Sequence, residues 1–111
     1  MKEIQIGEKQ IRLRATPLAL LFYKQEFNAD LIGNLVKMQN LEQNPDAFDS
    51  VVFLQIIWAL AKADDPKKFP SFVTWISELG NIDFSDQTSL LAVMEEAING
   101  FFRGQKGWKN K

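Results

Sequence analysis

The feature that most constrains this fold is an uncharged, strongly apolar run in the middle of the chain, from Ser50 to Ala61. Asn44-Pro45, a capping residue followed by proline, predicts the start of a helix that continues to about residue 63. Apolar side chains lie on almost every side of this helix, which is typical of the centre of a helical bundle. We therefore expect other elements to cover it; the alternative is that one side meets a partner protein.

The alternation of apolar and polar residues over residues 2–14 predicts a two-stranded β-hairpin. Its apolar side chains share one face, namely Ile4, Ile6, Ile11 and Leu13. We expect the register that pairs Ile6 with Ile11, because it keeps that face apolar. The same register sets Glu3 opposite Arg14, which is a favourable charge pair. A lone hairpin is marginally stable in water, so helices must cover its apolar face.

Thr16-Pro17 marks the change from strand to helix, because threonine caps helices and proline suits the first helical position. Asn28 is expected to end that helix, and Gly80 a later one. The expected helices cover about residues 17–27, 29–39, 45–63, 70–79 and 85–103. The length of 111 residues fits one domain. We therefore expect an α+β, mainly α fold, in which an N-terminal β-hairpin precedes a bundle of four to five helices. The domain covers residues 1–103, and residues 104–111 form a flexible basic tail.

The composition excludes several classes of chemistry, because the chain has no histidine and no cysteine. Imidazole bases, thiolate nucleophiles, Cys/His zinc sites and disulfides are therefore ruled out. Glu95-Glu96 is a carboxylate pair, but neighbours on a helix point about 100° apart and do not share a site. Asp64-Asp65 would need three or more further oxygen ligands to hold a hard cation. We expect no catalytic residue, no cofactor and no metal, and hence no enzyme.

The charge is unevenly distributed along the chain. The chain has 13 basic and 14 acidic residues, and the four basic residues of 103–111 leave nine against 14 elsewhere, a net charge of −5. The acidic body disfavours binding to nucleic acid. The alternative function is nevertheless a small nucleic-acid-binding regulator that uses a helix pair and the basic tail. The start of the sequence has no apolar core of a signal peptide, and the apolar run falls short of the roughly 20 residues that span a membrane. We expect a soluble protein with no membrane partner.

The end of the last helix and the tail supply the candidate partner-binding residues. Phe101 lies on the apolar stripe of that helix, whereas Phe102 points about 100° away from it and is the best candidate for an exposed apolar contact. The tail combines one aromatic residue with several basic ones. It could order on a protein partner, seek phosphates or simply keep the chain soluble. The predicted partner-binding residues are Phe102, Arg103, Lys106, Trp108 and Lys109.

Several segments follow one another in an order typical of a known family. Leu13-Arg14-Ala15-Thr16-Pro17 is followed by Tyr23-Lys24-Gln25-Glu26-Phe27 and Asp30-Leu31, and then by the apolar helix, which ends in Ala61-Lys62-Ala63-Asp64-Asp65-Pro66. Phe72-x-x-Trp75-Ile76 and a final amphipathic helix complete the pattern. Over about residues 4–103 the chain resembles the small tail assembly chaperones of long-tailed, siphovirus-type phages and prophages of Gram-positive bacteria.

This resemblance implies a function in assembly without catalysis. Such chaperones are thought to bind the long, aggregation-prone tape measure protein, to recruit tail tube protein, and to be absent from the finished virion. By resemblance we expect this chain to act in the bacterial host cytoplasm with these two partners, and self-association is a further possibility. The absence of catalytic residues and the surplus of large apolar side chains are compatible with this role.

Overall fold

The structure is a computed structural model that describes residues 2–6, 9–39, 49–67, 69–80 and 87–102. An N-terminal hairpin is followed by five helices within these ranges, which confirms the α+β, mainly α fold. The elements are β1 (Lys2–Ile6), β2 (Lys9–Leu13), α1 (Pro17–Phe27), α2 (Leu31–Gln39), α3 (Ser50–Asp64), α4 (Phe72–Ser77) and α5 (Gln87–Phe101). The expected tail, 104–111, lies outside the described residues. No described helix combines the length and apolar character needed to cross a bilayer.

The hairpin has the predicted apolar face but a different register. Ile4 pairs with Ile11 and Ile6 with Lys9, so the expected pairing of Ile6 with Ile11 is wrong by two residues. A shift of two keeps every side chain on its face, and all four predicted apolar residues are buried. Glu3 consequently lies opposite Arg12 and not Arg14. Gly7 and Glu8, which follow β1 in the sequence, lie outside the described residues.

Helix α1 has the predicted bounds. Pro17 occupies its first turn, and Asn28 ends it in the left-handed conformation, with φ 52° and its N–H donated to the carbonyl of Lys24. Thr16 has the extended backbone of a capping residue, but its hydroxyl makes no capping hydrogen bond. Helix α2 begins at Leu31, two residues after the expected start.

Helix α3 is the central element, as predicted. It begins at Ser50 and not at residue 45, because Asp49 has extended backbone and its carboxylate accepts hydrogen bonds from the N–H groups of Val51 and Val52. Eight of its side chains are buried, from Phe53 to Ala63. It packs against α1, β2 and α4, while α5 packs against β1. The hairpin is therefore held between the two longest helices.

Aromatic rings fill the core between α1, α3 and α4. Trp58 is fully buried and meets Phe27 and Phe72 edge-to-face, with ring centroids 5.4 and 6.4 Å away. Its indole N–H donates to the carbonyl of Pro70 at 3.1 Å, so the ring is fixed in orientation. Phe53 and Trp75 are buried as well. Phe53 and Trp58 are therefore core residues and are not available to a partner, whereas Trp75 also borders an open groove.

The last two helices are shorter than expected. Helix α4 covers only Phe72–Ser77, because the Ser71 hydroxyl accepts from the N–H of Thr74 and Gly80 follows with φ 76°. Helix α5 ends at Phe101, two residues before its expected end. The expected start at residue 85 lies outside the described residues.

Candidate protein-binding surface

The first two turns of α1 expose apolar side chains beside the end of α3. Leu18 and Leu21 are 43% and 50% exposed, although most leucines elsewhere in the described chain are buried. They border an open groove of about 550 Å³, here called the α1 groove, which is lined by Arg14, Thr16, Pro17, Leu18, Leu21 and Ala63. The lining is almost wholly apolar. Such a surface fits an apolar side chain of another molecule.

The sequence of α1 explains why this surface is apolar. Residues 18–23 are consecutive apolar or aromatic residues, so they cover every side of the helix and not one stripe. Ala19 and Tyr23 face inwards and are buried. Leu18 and Leu21, three residues apart, consequently share the outward side. Only the second half of the helix turns polar outside, at Lys24, Gln25 and Glu26.

The rim of the α1 groove is fixed by an ion-pair cluster. The Asp64 carboxylate, at the end of α3, lies 3.3 Å from Nε of Arg14 and 3.4 Å from Nε of Arg12. The side chain of Asp64 is only 11% exposed, whereas both arginines are about half exposed. The backbone N–H of Arg14 also donates to the carbonyl of Leu60. The segment that joins β2 to α1 is thus tied to α3, and the groove is held open.

Thr16 places one polar atom in this apolar setting. Within the described ranges, its Oγ1 is the buried side-chain oxygen that has no hydrogen-bond partner. Arg14, at the rim, is the one ionisable residue of the lining. The α1 groove can therefore bind apolar groups, but its lining supplies no carboxylate, amine or other general acid or base.

A buried polar network holds α1 in place below the groove. The Tyr23 hydroxyl accepts a hydrogen bond from the Asn34 amide at 2.8 Å and donates to Oε1 of Gln55 at 3.3 Å. These contacts link α1 to both α2 and α3. Burial raises the pKa of Tyr23; the hydrogen bond from Asn34 opposes this shift, and the charges of Asp49 and Asp30 add to it.

The predicted partner-binding residues lie elsewhere. Phe102 is half-buried and packs against the core, and its N–H donates to the carbonyl of Ile98 at 2.9 Å. It is therefore less accessible than its position on the helix suggested. Arg103, Lys106, Trp108 and Lys109 lie outside the described residues, so their role in binding stays a prediction.

The sequence reasoning missed the two exposed leucines of the α1 groove. The signal was present, because an unbroken apolar run on a helix only 11 residues long cannot all face one core. The other exposed large apolar residues are dispersed over different helices: Val36, Val51, Val73 and Leu91. Among the described residues there is no group of three or more acidic side chains placed to hold a metal ion.

Comparison with known proteins gives this chain no relative: no family model, no curated protein and no solved structure matches it.

Proposed function

We propose that this chain is a non-enzymatic assembly chaperone of the phage-tail type, which binds the tape measure protein through the α1 groove. The partner leaves the host cytoplasm inside the tail, whereas the chaperone stays behind and is absent from the mature virion. The tail tube protein is the second partner. The order of sequence motifs over about residues 4–103 is the basis for the phage assignment.

The observation that carries a binding function is the exposure of Leu18 and Leu21 at an apolar groove. Burying the exposed part of a leucine in an interface contributes about 1 kcal/mol. The two leucines together therefore contribute about 2 kcal/mol to binding an apolar partner. Arg14, at the rim, is held by Asp64 at a position where it can meet a polar group of the partner.

The groove also lies within the segment that carries the family resemblance. Thr16 and Pro17 belong to the Leu13–Pro17 motif, and Leu18 and Leu21 lie between that motif and the Tyr23–Phe27 motif. A side chain that a chaperone exposes to its client is needed at the surface even though it lowers solubility. This need accounts for leucines where a surface helix normally carries polar residues.

Co-expression with the tape measure protein of the same phage or prophage tests the proposal. The unaltered chain should raise the soluble fraction of that protein, and the double variant Leu18→Gln, Leu21→Gln should raise it much less. Leu91→Gln is the matched control, since Leu91 is an exposed leucine on α5, at 66% exposure. The control should unfold within about 0.5 kcal/mol of the unaltered chain. The double variant should lose about 1–2 kcal/mol, because each leucine is about half buried in the folded chain, so the comparison is made at a temperature at which all three chains are folded.

An unchanged soluble fraction with the unaltered chain would contradict the proposed client. A double variant that protects the client as well as the unaltered chain does would instead contradict the α1 groove as the binding surface. A chain that binds short duplex DNA at low salt, with affinity falling steeply as salt is added, would favour the nucleic-acid alternative.

A further inference from the structure

A second groove, here called the β2 edge groove, runs along the outer edge of the hairpin. It measures about 330 Å³ and is lined on one side by four successive residues of β2, Lys9 to Arg12. Its other side is formed by the end of α3, the segment that follows it, and α4. Residues from both faces of β2 line the groove, since Ile11 is buried and Gln10 is exposed. A groove with that lining lies at the edge of a strand and not over one of its faces.

The backbone of β2 is available for pairing along this groove. Arg14, just past the strand, donates its N–H to the carbonyl of Leu60 on α3 and not to β1. In an antiparallel pair, residues alternate between facing the partner strand and facing away. Arg12 and Gln10 lie two and four residues before Arg14, so their N–H and C=O groups also face away from β1.

The opposite wall of the groove offers an apolar contact. The rings of Phe69 and Trp75 stack at 6.4 Å with a tilt of 39°, and both line the groove together with Pro70. A strand laid along β2 projects alternate side chains to each of its two faces. Every second side chain of that strand therefore meets an aromatic surface.

The charges at the groove favour a basic partner. Lys9 pairs with Glu78 at 3.9 Å, and Arg12 pairs with Asp64 at 3.4 Å. Asp65 is exposed, lines the groove and forms no ion pair with any described residue. Arg14 also pairs with Asp64, so three bases balance the three acids around the groove, and Asp65 is the acid that remains for a basic side chain of a partner. The Lys9–Glu78 pair is about half exposed on both sides and is therefore weak enough for an entering chain to displace, whereas Asp64 is only 11% exposed and its pair with Arg12 stays in place.

We infer that the β2 edge groove binds an extended segment of another polypeptide as a third strand of the sheet. The segment pairs its backbone with Gln10 and Arg12, and its alternating side chains are apolar towards Phe69 and Trp75 and basic towards Asp65. This mode of recognition takes its affinity from main-chain hydrogen bonds and its specificity from alternate side chains. The site is separate from the α1 groove and does not depend on the client proposed there.

The test uses the full chain and the peptide Lys-Val-Lys-Val-Lys-Val. Binding should slow amide hydrogen exchange at Gln10 and Arg12, as followed by NMR. Two N-methylated versions of the peptide are the matched pair: one is methylated at the lysine amides and the other at the valine amides. Only one alternate set of N–H groups can face β2, so one version should bind about tenfold more weakly than the other. The two methylated peptides have the same charge and the same side chains, so a difference in their affinities reports the backbone hydrogen bonds.

Protein variants separate this site from the proposed function. Asp65→Asn should weaken peptide binding about two- to fivefold, and the effect should be larger at low salt. Asp30→Asn is the control, because it removes an exposed acid near α2, and it should leave peptide binding unchanged. The double variant Leu18→Gln, Leu21→Gln should bind the peptide normally. Equal binding of the two methylated peptides, or no binding of the unmodified peptide at millimolar concentration, would show that the edge does not take a strand.

Discussion

Tyr23 shows how burial at a single residue sets a measurable property of the whole chain. It is the one tyrosine in the sequence, its ring is fully buried, and its hydroxyl lies between Asn34 and Gln55. A charged phenolate in that position loses hydration, so the folded chain holds the proton more tightly than the unfolded chain does.

Titration of Tyr23 should therefore differ between the folded and unfolded chain. The absorbance of tyrosinate should rise above pH 10.0 in the native protein, and its midpoint should return to about 10.0 in denaturant. Because the folded pKa is the higher one, this group's contribution to stability is complete below pH 10.0 and is lost as pH rises through the folded value. Tyr23→Phe should abolish the signal and flatten that part of the stability profile. A native midpoint at or below the denatured one would contradict the burial argument.

Helix boundaries in this protein are decided by side chains at the ends of elements. Asp49 accepts from two N–H groups of α3, and Ser71 accepts from one in α4. Glu26, on α1, accepts from the N–H of Phe72 at 3.3 Å, so one helix helps to cap another. The first N–H groups of a helix have no acceptor within the helix, so side chains of this kind or water must accept their hydrogen bonds.

Asp49→Ala should lower the free energy of unfolding by about 0.5–2 kcal/mol, because two N–H groups of α3 lose their acceptor. Asp49→Asn should retain most of the stability, since the amide oxygen can still accept. Ser50→Ala is the control at the neighbouring position, where no capping bond is made. Chemical denaturation of the three variants measures the difference. Equal stability of Asp49→Ala and the unaltered chain would mean that this cap is not needed.

At the scale of the whole molecule, α5 closes the fold by docking onto the segment that leaves the hairpin. Oε2 of Glu96, in a largely buried side chain, accepts from the N–H of Ala15 at 3.2 Å. One turn further on, Gly100 lies so close to Ala15 that a Cβ added there would overlap its carbonyl oxygen. Helix α5 therefore contacts the backbone of a segment that lies more than 80 residues away in the sequence.

Gly100→Ala tests this closure. Alanine normally stabilises a helix relative to glycine by about 0.5–1 kcal/mol. Here the added methyl group must displace the Ala15 backbone, so we expect a loss of about 1–3 kcal/mol. Gly33→Ala in α2 is the matched control, because its added Cβ would lie 3.4 Å from the nearest atom, an Asp30 carboxylate oxygen. The control should be neutral or stabilising in thermal unfolding. A stabilising Gly100→Ala would disprove the close approach.

Periodicity in the sequence determined the type of every described element and the buried face of most of them. The unbroken apolar run identified α3 as the central helix, and alternation identified the hairpin and its inward residues. Local patterns carry this information because a side chain's direction follows from its position along a helix or strand. The start of α3 depended on the capping contacts of Asp49. The predicted and observed registers of the hairpin keep the same apolar face, so periodicity alone does not choose between them.

The tertiary structure alone decided which apolar residues stay outside. Trp58 is buried because rings of α1, α4 and the segment after α3 pack around it, whereas Leu18 and Leu21 stay about half exposed at the α1 groove. The unbroken apolar run of α1 indicates that some of its residues must stay outside, but not which ones, because each is a large apolar residue on an apolar helix. Exposure depends on which elements pack together, and that depends on contacts between residues far apart in the chain.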